Sequence, residues 1–566
     1  LIRLILDKEA AEYEQDLREL TKQFYPGEDF EIHTPDGVHL SETTQEEKNA
    51  LKKAQESGTA ARVNRKSAKN RSHMVMELTP EGAADDAIRL SLTVHAAELP
   101  LTGDRRTDKS MIKALAYQKL TGLSGKTLPW GDLTGIRPVS LVSPMMEQAM
   151  AKDPLHHLAE EDRAAIRQKI SKEYMLEGEK LELVMEIAER EQQILGRILA
   201  KTGRSYQEGW SLYIGIPFCP TRCLYCSFLS NTIDHWESRL PLYFEHLASE
   251  IRLAVSEMSG RLSKTLQTIY IGGGTPTALN AFWLKRLMEL VHEECDFSGV
   301  VEFTVEAGRP DSIDREKLEI LKAAGVDRIS VNPQTFRQKT LDLIGRKHSV
   351  EETIAAYRLA REVGFNNINM DIILGLPGEK LPEVTDTLCE IARLKPDSLT
   401  VHTLAVKRAA RLTLERDYWA GVYRAGDEQE IVRETELAHQ ADQDAGLTFR
   451  YPEITRMMMA AEYTAALLDL KPYYLYRQKN MAGNLENVGY CLEGKECLYN
   501  ILMMEEKHSV IGCGAGTSTK LVLPDKDGIS GQKRVERCDN GKSIGEYMDH
   551  FEKYKERKLR LFKMFT

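Results

Sequence analysis

From Tyr213 to Thr403 short β-rich runs alternate with helical stretches, and this alternation constrains the fold more than any other feature of the chain. The strands read as Leu212–Ile216, Thr268–Ile271, Glu302–Val305, Arg328–Val331, Asn367–Leu374 and Ser398–Thr403. Between them lie the helical stretches Leu240–Met258, Ala281–Cys295, Arg315–Ala324, Val350–Val363 and Pro382–Leu394. Such alternation predicts an α/β fold, a parallel sheet covered by helices. Six strands make either an open doubly wound sheet or an incomplete barrel. In both, ligands collect at the C-terminal ends of the strands.

The flanking regions differ from this core. At about 150 residues per domain, 566 residues suggest three or four units. We expect an N-terminal α+β accessory domain over 1–204, the alternating unit over 205–410 and a C-terminal α+β region over 411–566 that covers its open side. In the first region Ile2–Leu6 is a short apolar run and Glu9–Phe24 a charged amphipathic helix. Met74–Leu78 and Ala87–Val94 read as strands, Thr107–Leu120 as helix, and Glu160–Ala200 as one long charged helical stretch. Trp130–Pro138 is rich in turn residues. After about 410, Glu428–Asp444 and Glu453–Leu470 read as helices, Tyr473–Gln478 as a strand and Gly541–Thr566 as a basic amphipathic helix.

Composition excludes several classes. The apolar fraction of 42% and charged fraction of 29% fit a folded globular chain. A net charge of −10 argues against a general nucleic-acid binder. The basic run Lys52–Arg71 reads as a solvated face. No apolar run reaches the ~18 residues of a membrane span. The opening Leu-Ile-Arg-Leu-Ile-Leu is too short for a signal-peptide core, and Leu1 in place of Met suggests residues ahead of it. Nine cysteines are too sparse for a disulfide scaffold. A cytoplasmic location is expected.

The chemistry concentrates in Cys219-Pro-Thr-Arg-Cys223-Leu-Tyr-Cys226, directly after the first strand. Thiolates are the soft ligands that iron–sulfur clusters need, and three closely spaced cysteines in a loop can wrap one cubane. Three ligands for four irons leave one iron open to a chelating molecule. A zinc loop usually adds a fourth ligand and paired C-x2-C motifs, and no such pair lies elsewhere. The residues alone leave zinc, or three buried thiols, as the other readings. A second motif, Gly272-Gly273-Gly274-Thr275-Pro276-Thr277, ends the second strand. Three glycines let a ligand meet bare backbone, although a tight strand-to-helix turn needs them too.

The Cys-x3-Cys-x2-Cys loop after a first strand resembles the radical S-adenosylmethionine superfamily. The resemblance implies a six-stranded partial (β/α)6 barrel and a [4Fe–4S] cluster on Cys219, Cys223 and Cys226. It also implies that the open iron binds the amino and carboxylate groups of S-adenosylmethionine, which one electron cleaves to a 5′-deoxyadenosyl radical. Tyr225 then matches the aromatic placed against adenine, and the glycine run, with Gly273, Gly274 and Thr275, the segment against the methionyl amino group. Glu306, Gln334, Arg346 and Asp371 follow near successive strand ends in the order seen in one branch, the oxygen-independent coproporphyrinogen III oxidase (dehydrogenase) family. Arginine suits a carboxylate, and Asp or Gln suits ribose hydroxyls. Tyr213, six residues before Cys219, matches that branch too, and Ala405 would be the small residue beside adenine.

The run Tyr476–Tyr490, together with Thr400–Arg408 and Leu133–Pro138, is most similar to the HemZ-type subgroup. The implied reaction is oxidative decarboxylation of coproporphyrinogen III propionates to vinyl groups in porphyrin and haem biosynthesis. Its implied partners are a tetrapyrrole substrate, one or two S-adenosylmethionine molecules and a one-electron donor such as flavodoxin or ferredoxin. No side chain beyond the cluster ligands is assigned a catalytic role. Two departures keep alternatives open, a haem-binding chaperone-like protein or a radical enzyme on another tetrapyrrole. Phe228 stands where decarboxylating members carry a fourth cysteine, and the chaperones' late His-Asn…Tyr-Trp motif is absent, with Gly516 at the position of their histidine. Lys407, Arg408, Arg411 and Arg477 are candidates to grip propionates. Cys491, Cys497 and Cys513 read as buried apolar residues rather than a second cluster site.

Overall fold

The computed structural model describes residues 2–25, 30–35, 37–41, 90–94, 102–135, 137–151, 158–226, 231–405, 453–478, 481–523 and 534–565. They divide into two compact units. One comprises residues 1–135 and 159–182, the other 136–158 and 183–566.

In the first unit Ile2–Leu6 pairs in parallel with Phe30–Thr34 and Leu90–Val94, and Gly37–Ser41 closes a hairpin on Phe30–Thr34. The helix Glu14–Phe24 lays Leu17, Leu20 and Phe24 against Leu4, Leu6 and Ile32, together with Ile112 and Leu120 of the helix Arg105–Ser124. Their spacing of three and four residues puts them on one helical face. Full burial of each large apolar side chain contributes roughly 1.5–3 kcal/mol. The expected helix Glu9–Phe24 is interrupted at Glu12 and Tyr13. The expected stretch Glu160–Ala200 is two helices, Glu160–Tyr174 and Gly178–Thr202, because Met175 takes a left-handed φ of 51° that no continuous helix tolerates. Met74–Leu78 and Glu428–Asp444 lie outside the described residues.

The second unit is built on an eleven-stranded sheet. Its heart is six strands in chain order: Gly209–Ile216, Thr265–Gly273, Glu302–Val305, Arg328–Ser330, Ile368–Leu374 and Ser398–Thr403, each parallel to the next. They are called the first to sixth barrel strands below. The intervening helices include Leu240–Val255, Ala281–Glu294, Arg315–Ala323, Val350–Val363 and Leu381–Leu394. This is the helix-covered parallel sheet that the alternation predicts, in the strand order of the partial (β/α)6 barrel that the resemblance implies. Local chemistry sets the ends of its elements. Val350–Val363 begins at a capping box, with Ser349 Oγ accepting from Glu352 N at 3.1 Å and Glu352 Oε2 from Ser349 N at 2.6 Å. It ends at Gly364 with φ of 100°.

The chain after residue 470 extends both edges of the sheet. Lys471–Tyr476 and Asn487–Cys491 add antiparallel strands beyond the sixth. Ser509–Cys513 adds a parallel strand beside the first, followed by the antiparallel Ser518–Leu523 and Arg534–Asp539. The basic tail is two helices, Ile544–Asp549 and Phe551–Phe562, divided at His550, rather than one. Among the described residues no helix is long and apolar enough to cross a membrane.

Candidate active site at the C-terminal ends of the barrel strands

The cysteine loop leaves the first barrel strand at Ile216 and crosses the end of the second. Gly274 N donates to Ile216 O at 2.7 Å and Thr275 N to Phe218 O at 2.6 Å. A side chain on Gly274 would strike the Phe218 carbonyl, so this glycine lets the loop lie on the strand end. Gly273, with φ of 103°, also needs its glycine. Thr275 Oγ1 reaches Cys219 Sγ at 3.4 Å. The far side of the loop is laced to Ile344-Gly345-Arg346. Leu224 N donates to Ile344 O at 2.9 Å and Thr221 Oγ1 to Gly345 O at 3.1 Å.

Arg346 is buried and fixed on three sides. It donates to the Tyr225 hydroxyl at 3.2 Å, to Gly308 O at 3.1 Å and to Asn332 O at 2.7 Å. Burial, with Cys223 adding to it and Arg346 opposing, pushes the Tyr225 hydroxyl above its ordinary range. Sequence reasoning missed Arg309, which donates to Cys223 Sγ at 3.4 Å and is held by Asp311. It also missed His348, which is fully buried with its Nδ1 3.9 Å from Asp311. Burial pushes its imidazole down to about 3, so it is neutral. The segment Glu306-Ala-Gly-Arg-Pro-Asp311, directly beyond a strand end, was the available signal.

A second group centres on Glu306, which follows the third barrel strand. Its carboxylate accepts from Tyr270 Oη at 2.6 Å and Gly273 N at 3.3 Å. A side chain on Gly272 would lie 2.7 Å from that carboxylate, so the bare strand end admits it. Burial raises the Glu306 pKa to about 7, against the Tyr270 hydrogen bond. Tyr213 stacks on Tyr270 and Tyr499 with ring centroids 6.0 and 5.9 Å apart. Tyr499 comes from far down the chain, and no local pattern marks it.

The third group lies on the fourth to sixth strands. Gln334 takes a left-handed φ of 67°, a strained state for a non-glycine residue. Its backbone is held by Asp371 O at 2.9 Å and Ile373 N at 2.9 Å. The Asp371 carboxylate accepts from Asn369 Nδ2 at 2.6 Å and lies 3.7 Å from His402 Nε2. Burial alone would raise its pKa, but the His402, Asn369 and Thr400 hydrogen bonds and His402's charge leave it below the ordinary carboxylate range. Ala405 stands beyond the sixth strand, bridged to Met481.

The structure places Cys219, Cys223, Tyr225 and Cys226 on or beside the cysteine loop, Gly273, Gly274, Thr275, Glu306, Gln334 and Ala405 at or just beyond strand ends, Tyr213 and Asp371 within the first and fifth strands, and Arg346 after the short helix Gln338–Leu343. It joins Cys219 to Thr275, Tyr225 to Arg346, Glu306 to Gly273, and Gln334 to Asp371, while Ala405 is bridged to Met481. Arg477 is buried and donates to Asn484 Oδ1 at 2.6 Å. Burial pulls its pKa down to about 10 against Glu486. Cys491, Cys497 and Cys513 are fully buried, and burial pushes their thiols up. Phe228, Lys407, Arg408 and Arg411 lie outside the described residues. Among the described residues no three His, Cys, Asp or Glu side chains meet at a point that a single ion would fill.

Three thiols in a loop over a glycine-floored strand end, on six parallel strands in chain order, are the arrangement that the resemblance to the radical S-adenosylmethionine superfamily implies. Residues 213–389 match the family model described as Radical SAM superfamily. The chain is 37% identical over 455 residues to the oxygen-independent coproporphyrinogen-III oxidase-like protein HemZ of Bacillus subtilis, covering 80% of each. It is 37% identical over 207 residues to the heme chaperone HemW of the same organism, 35% of this chain and 51% of that one. It is 33% identical over 195 residues to the oxygen-independent coproporphyrinogen III oxidase of Escherichia coli, 34% of this chain and 42% of that one. The chain therefore spans about half the length of the latter two. It belongs to the HemZ-type family of oxygen-independent coproporphyrinogen III oxidase-like proteins, within the radical SAM superfamily. Membership implies a [4Fe–4S] cluster and S-adenosylmethionine as cofactors.

Proposed function

We propose that this chain is a radical S-adenosylmethionine coproporphyrinogen dehydrogenase. In the proposed reaction a propionate side chain of coproporphyrinogen III loses a β-hydrogen atom, carbon dioxide and one electron, which goes to an external acceptor. A vinyl group remains, and two rounds give protoporphyrinogen IX. The match to HemZ across four-fifths of both chains is the observation that carries this reading.

The residues present suit the cofactors. Five buried polar atoms around the ends of the third and fourth strands, Thr304 Oγ1, Ser330 Oγ, Asn332 Oδ1, Gln334 Oε1 and Arg346 Nε, have no partner within the protein. Buried polar atoms are rarely left so, and a polar ligand bound here would give them partners. When bound, the cluster and S-adenosylmethionine supply the one-electron chemistry that removes the substrate hydrogen atom. Cys219, Cys223 and Cys226 hold the cluster. Tyr225 lies against adenine, with Ala405 as the small residue beside it. Arg346 supports Tyr225 and the loop carbonyls, and its cation favours a carboxylate. Glu306, ionised, attracts the methionyl ammonium at the strand end formed by Gly273, Gly274 and Thr275. Asp371 and Gln334 accept ribose hydroxyls. Tyr213, packed beside the stacked pair Tyr270 and Tyr499, walls this end and excludes water. We assign residues 205–410 the chemistry and 411–566 the cover over the substrate, with an N-terminal accessory domain ahead and flavodoxin or ferredoxin as electron donor in the cytoplasm.

A haem-binding chaperone-like role is the second reading. Phe228, where decarboxylating members carry a fourth cysteine, and the match to HemW favour it. The test is anaerobic turnover. The reconstituted full chain receives S-adenosylmethionine, a reductant and coproporphyrinogen III, and the oxidised porphyrins are chromatographed. Tri- and dicarboxylate porphyrins matched by 5′-deoxyadenosine are expected. 5′-Deoxyadenosine without porphyrin change would discard the substrate. Stoichiometric haem binding with no cleavage would establish the chaperone reading instead.

A further inference from the structure

We infer that Arg309 is a positioning residue that sets the reduction potential of the cluster; this rests on the assignment of that cluster to Cys219, Cys223 and Cys226. Cys223 is the middle thiol of the loop and the most buried of the three. Arg309 Nη1 lies 3.4 Å from its sulfur and 3.4 Å from the carbonyl of Thr221. Arg309 is 3% exposed. It cannot swing away, because Asp311 grips it with two oxygens at 2.9 and 2.7 Å. The backbone at Arg309 is clamped as well. Ser312 Oγ donates to Arg309 O at 2.7 Å, and Thr277 Oγ1 holds Ser312 Oγ at 2.7 Å. A buried arginine placed only to balance Asp311 has no need to turn an N–H toward a thiol. Arg346, the other buried arginine packed on the loop, reaches the Tyr225 hydroxyl and two carbonyls.

The consequence is electrostatic. Reduction takes a [4Fe–4S]2+ cluster to [4Fe–4S]+ by one electron from the external donor, with no bond made or broken and no proton moved. The electron adds one negative charge to the cluster and its thiolates. A fixed cation donating a hydrogen bond to a ligand sulfur stabilises that added charge more than it stabilises the oxidised state. Burial strengthens the effect. Hydrogen-bonding groups behind the ligands tune a metal centre in this way. Arg309 therefore raises the potential and brings the cluster within reach of a physiological one-electron donor.

The experiment is an EPR-monitored redox titration of the reconstituted full-length protein, with iron content and circular dichroism measured on each sample. Arg309→Gln should load iron as the wild type does, while the equilibrium constant for reduction falls by about tenfold, 59 mV for a one-electron couple. Arg309→Lys, which keeps the charge but not the fork geometry, should fall between the two. Wild-type potentials in both variants would overturn the inference. So would an Arg309→Gln protein that folds normally but holds no iron, since Arg309 would then serve assembly. A wild-type protein with no cluster signal would instead refute the cluster assignment itself.

Discussion

Glu250 and Glu306 are two carboxylates of the same barrel unit, and their surroundings differ in kind. Glu250, on the helix after the first barrel strand, is fully buried. Its oxygens accept from Gly514 N at 2.7 Å, Asn540 Nδ2 at 2.9 Å, Tyr547 Oη at 2.8 Å and Lys558 Nζ at 2.6 Å. Lys558 also donates to Gly512 O at 2.6 Å, so the C-terminal helix is tied to the barrel wall by groups the chain itself supplies. Asn540 Oδ1 is the one side-chain atom of these residues without a partner. Glu306 receives two donors, titrates near 7 because of burial, and stands among strand ends that carry five partnerless polar atoms. A chain that stabilises itself satisfies its buried polar groups; one that holds a ligand leaves some of them for that ligand. The first centre is architecture, and the second is the proposed site.

Five substitutions would break or sharpen that contrast. Cys223→Ala should abolish the cluster and S-adenosylmethionine cleavage, read as iron content and 5′-deoxyadenosine, at a stability cost of about 1 kcal/mol. Retained iron and cleavage would refute the ligand assignment. Lys558→Met should do the reverse. It strands a buried carboxylate and should cost about 3–5 kcal/mol in urea unfolding, while the folded fraction still loads iron. Adding Glu250→Gln should recover much of that loss, and additivity of the two changes would show that the pair is not coupled.

The remaining two effects are smaller. Asp371→Asn should weaken S-adenosylmethionine binding about tenfold by equilibrium dialysis with iron content unchanged, the scale of one hydrogen bond to a charged group. Unchanged affinity would remove Asp371 from the ribose. Glu306 gives a few-fold effect with a definite sign. Below pH 7 its carboxyl is mostly neutral, and above pH 7 it is anionic and attracts a cationic ligand. Affinity should rise from pH 6 to pH 8, and Glu306→Gln should flatten the profile. A profile that keeps its slope in the variant would place the titrating group elsewhere.

The barrel was legible because its rules are local. Glu302–Val305, Ser398–Thr403 and Val350–Val363 have the expected bounds; the helix runs from the Ser349 cap to Gly364, and the sixth strand starts after Asp397. The cysteine spacing is local too, whereas the order of polar residues along the successive strands pointed to one end of the barrel only through the family resemblance. Non-local pairing was not legible. Nothing near Ser509–Cys513 says that it lies parallel to Gly209–Ile216, some three hundred residues earlier. Arg309 was missed because an arginine in a turn ordinarily faces water, and its burial against Cys223 depends on how two loops meet. The breaks at Met175 and His550 were hidden by charged residues that suit a helix on either side.

The most direct test of the central claim is the EPR spectrum of the reconstituted, dithionite-reduced full-length protein with and without S-adenosylmethionine. The account predicts a [4Fe–4S]+ signal that changes on adding S-adenosylmethionine, followed by one 5′-deoxyadenosine for each reducing equivalent consumed. A protein that holds four irons but shows no spectral change and no cleavage would contradict it.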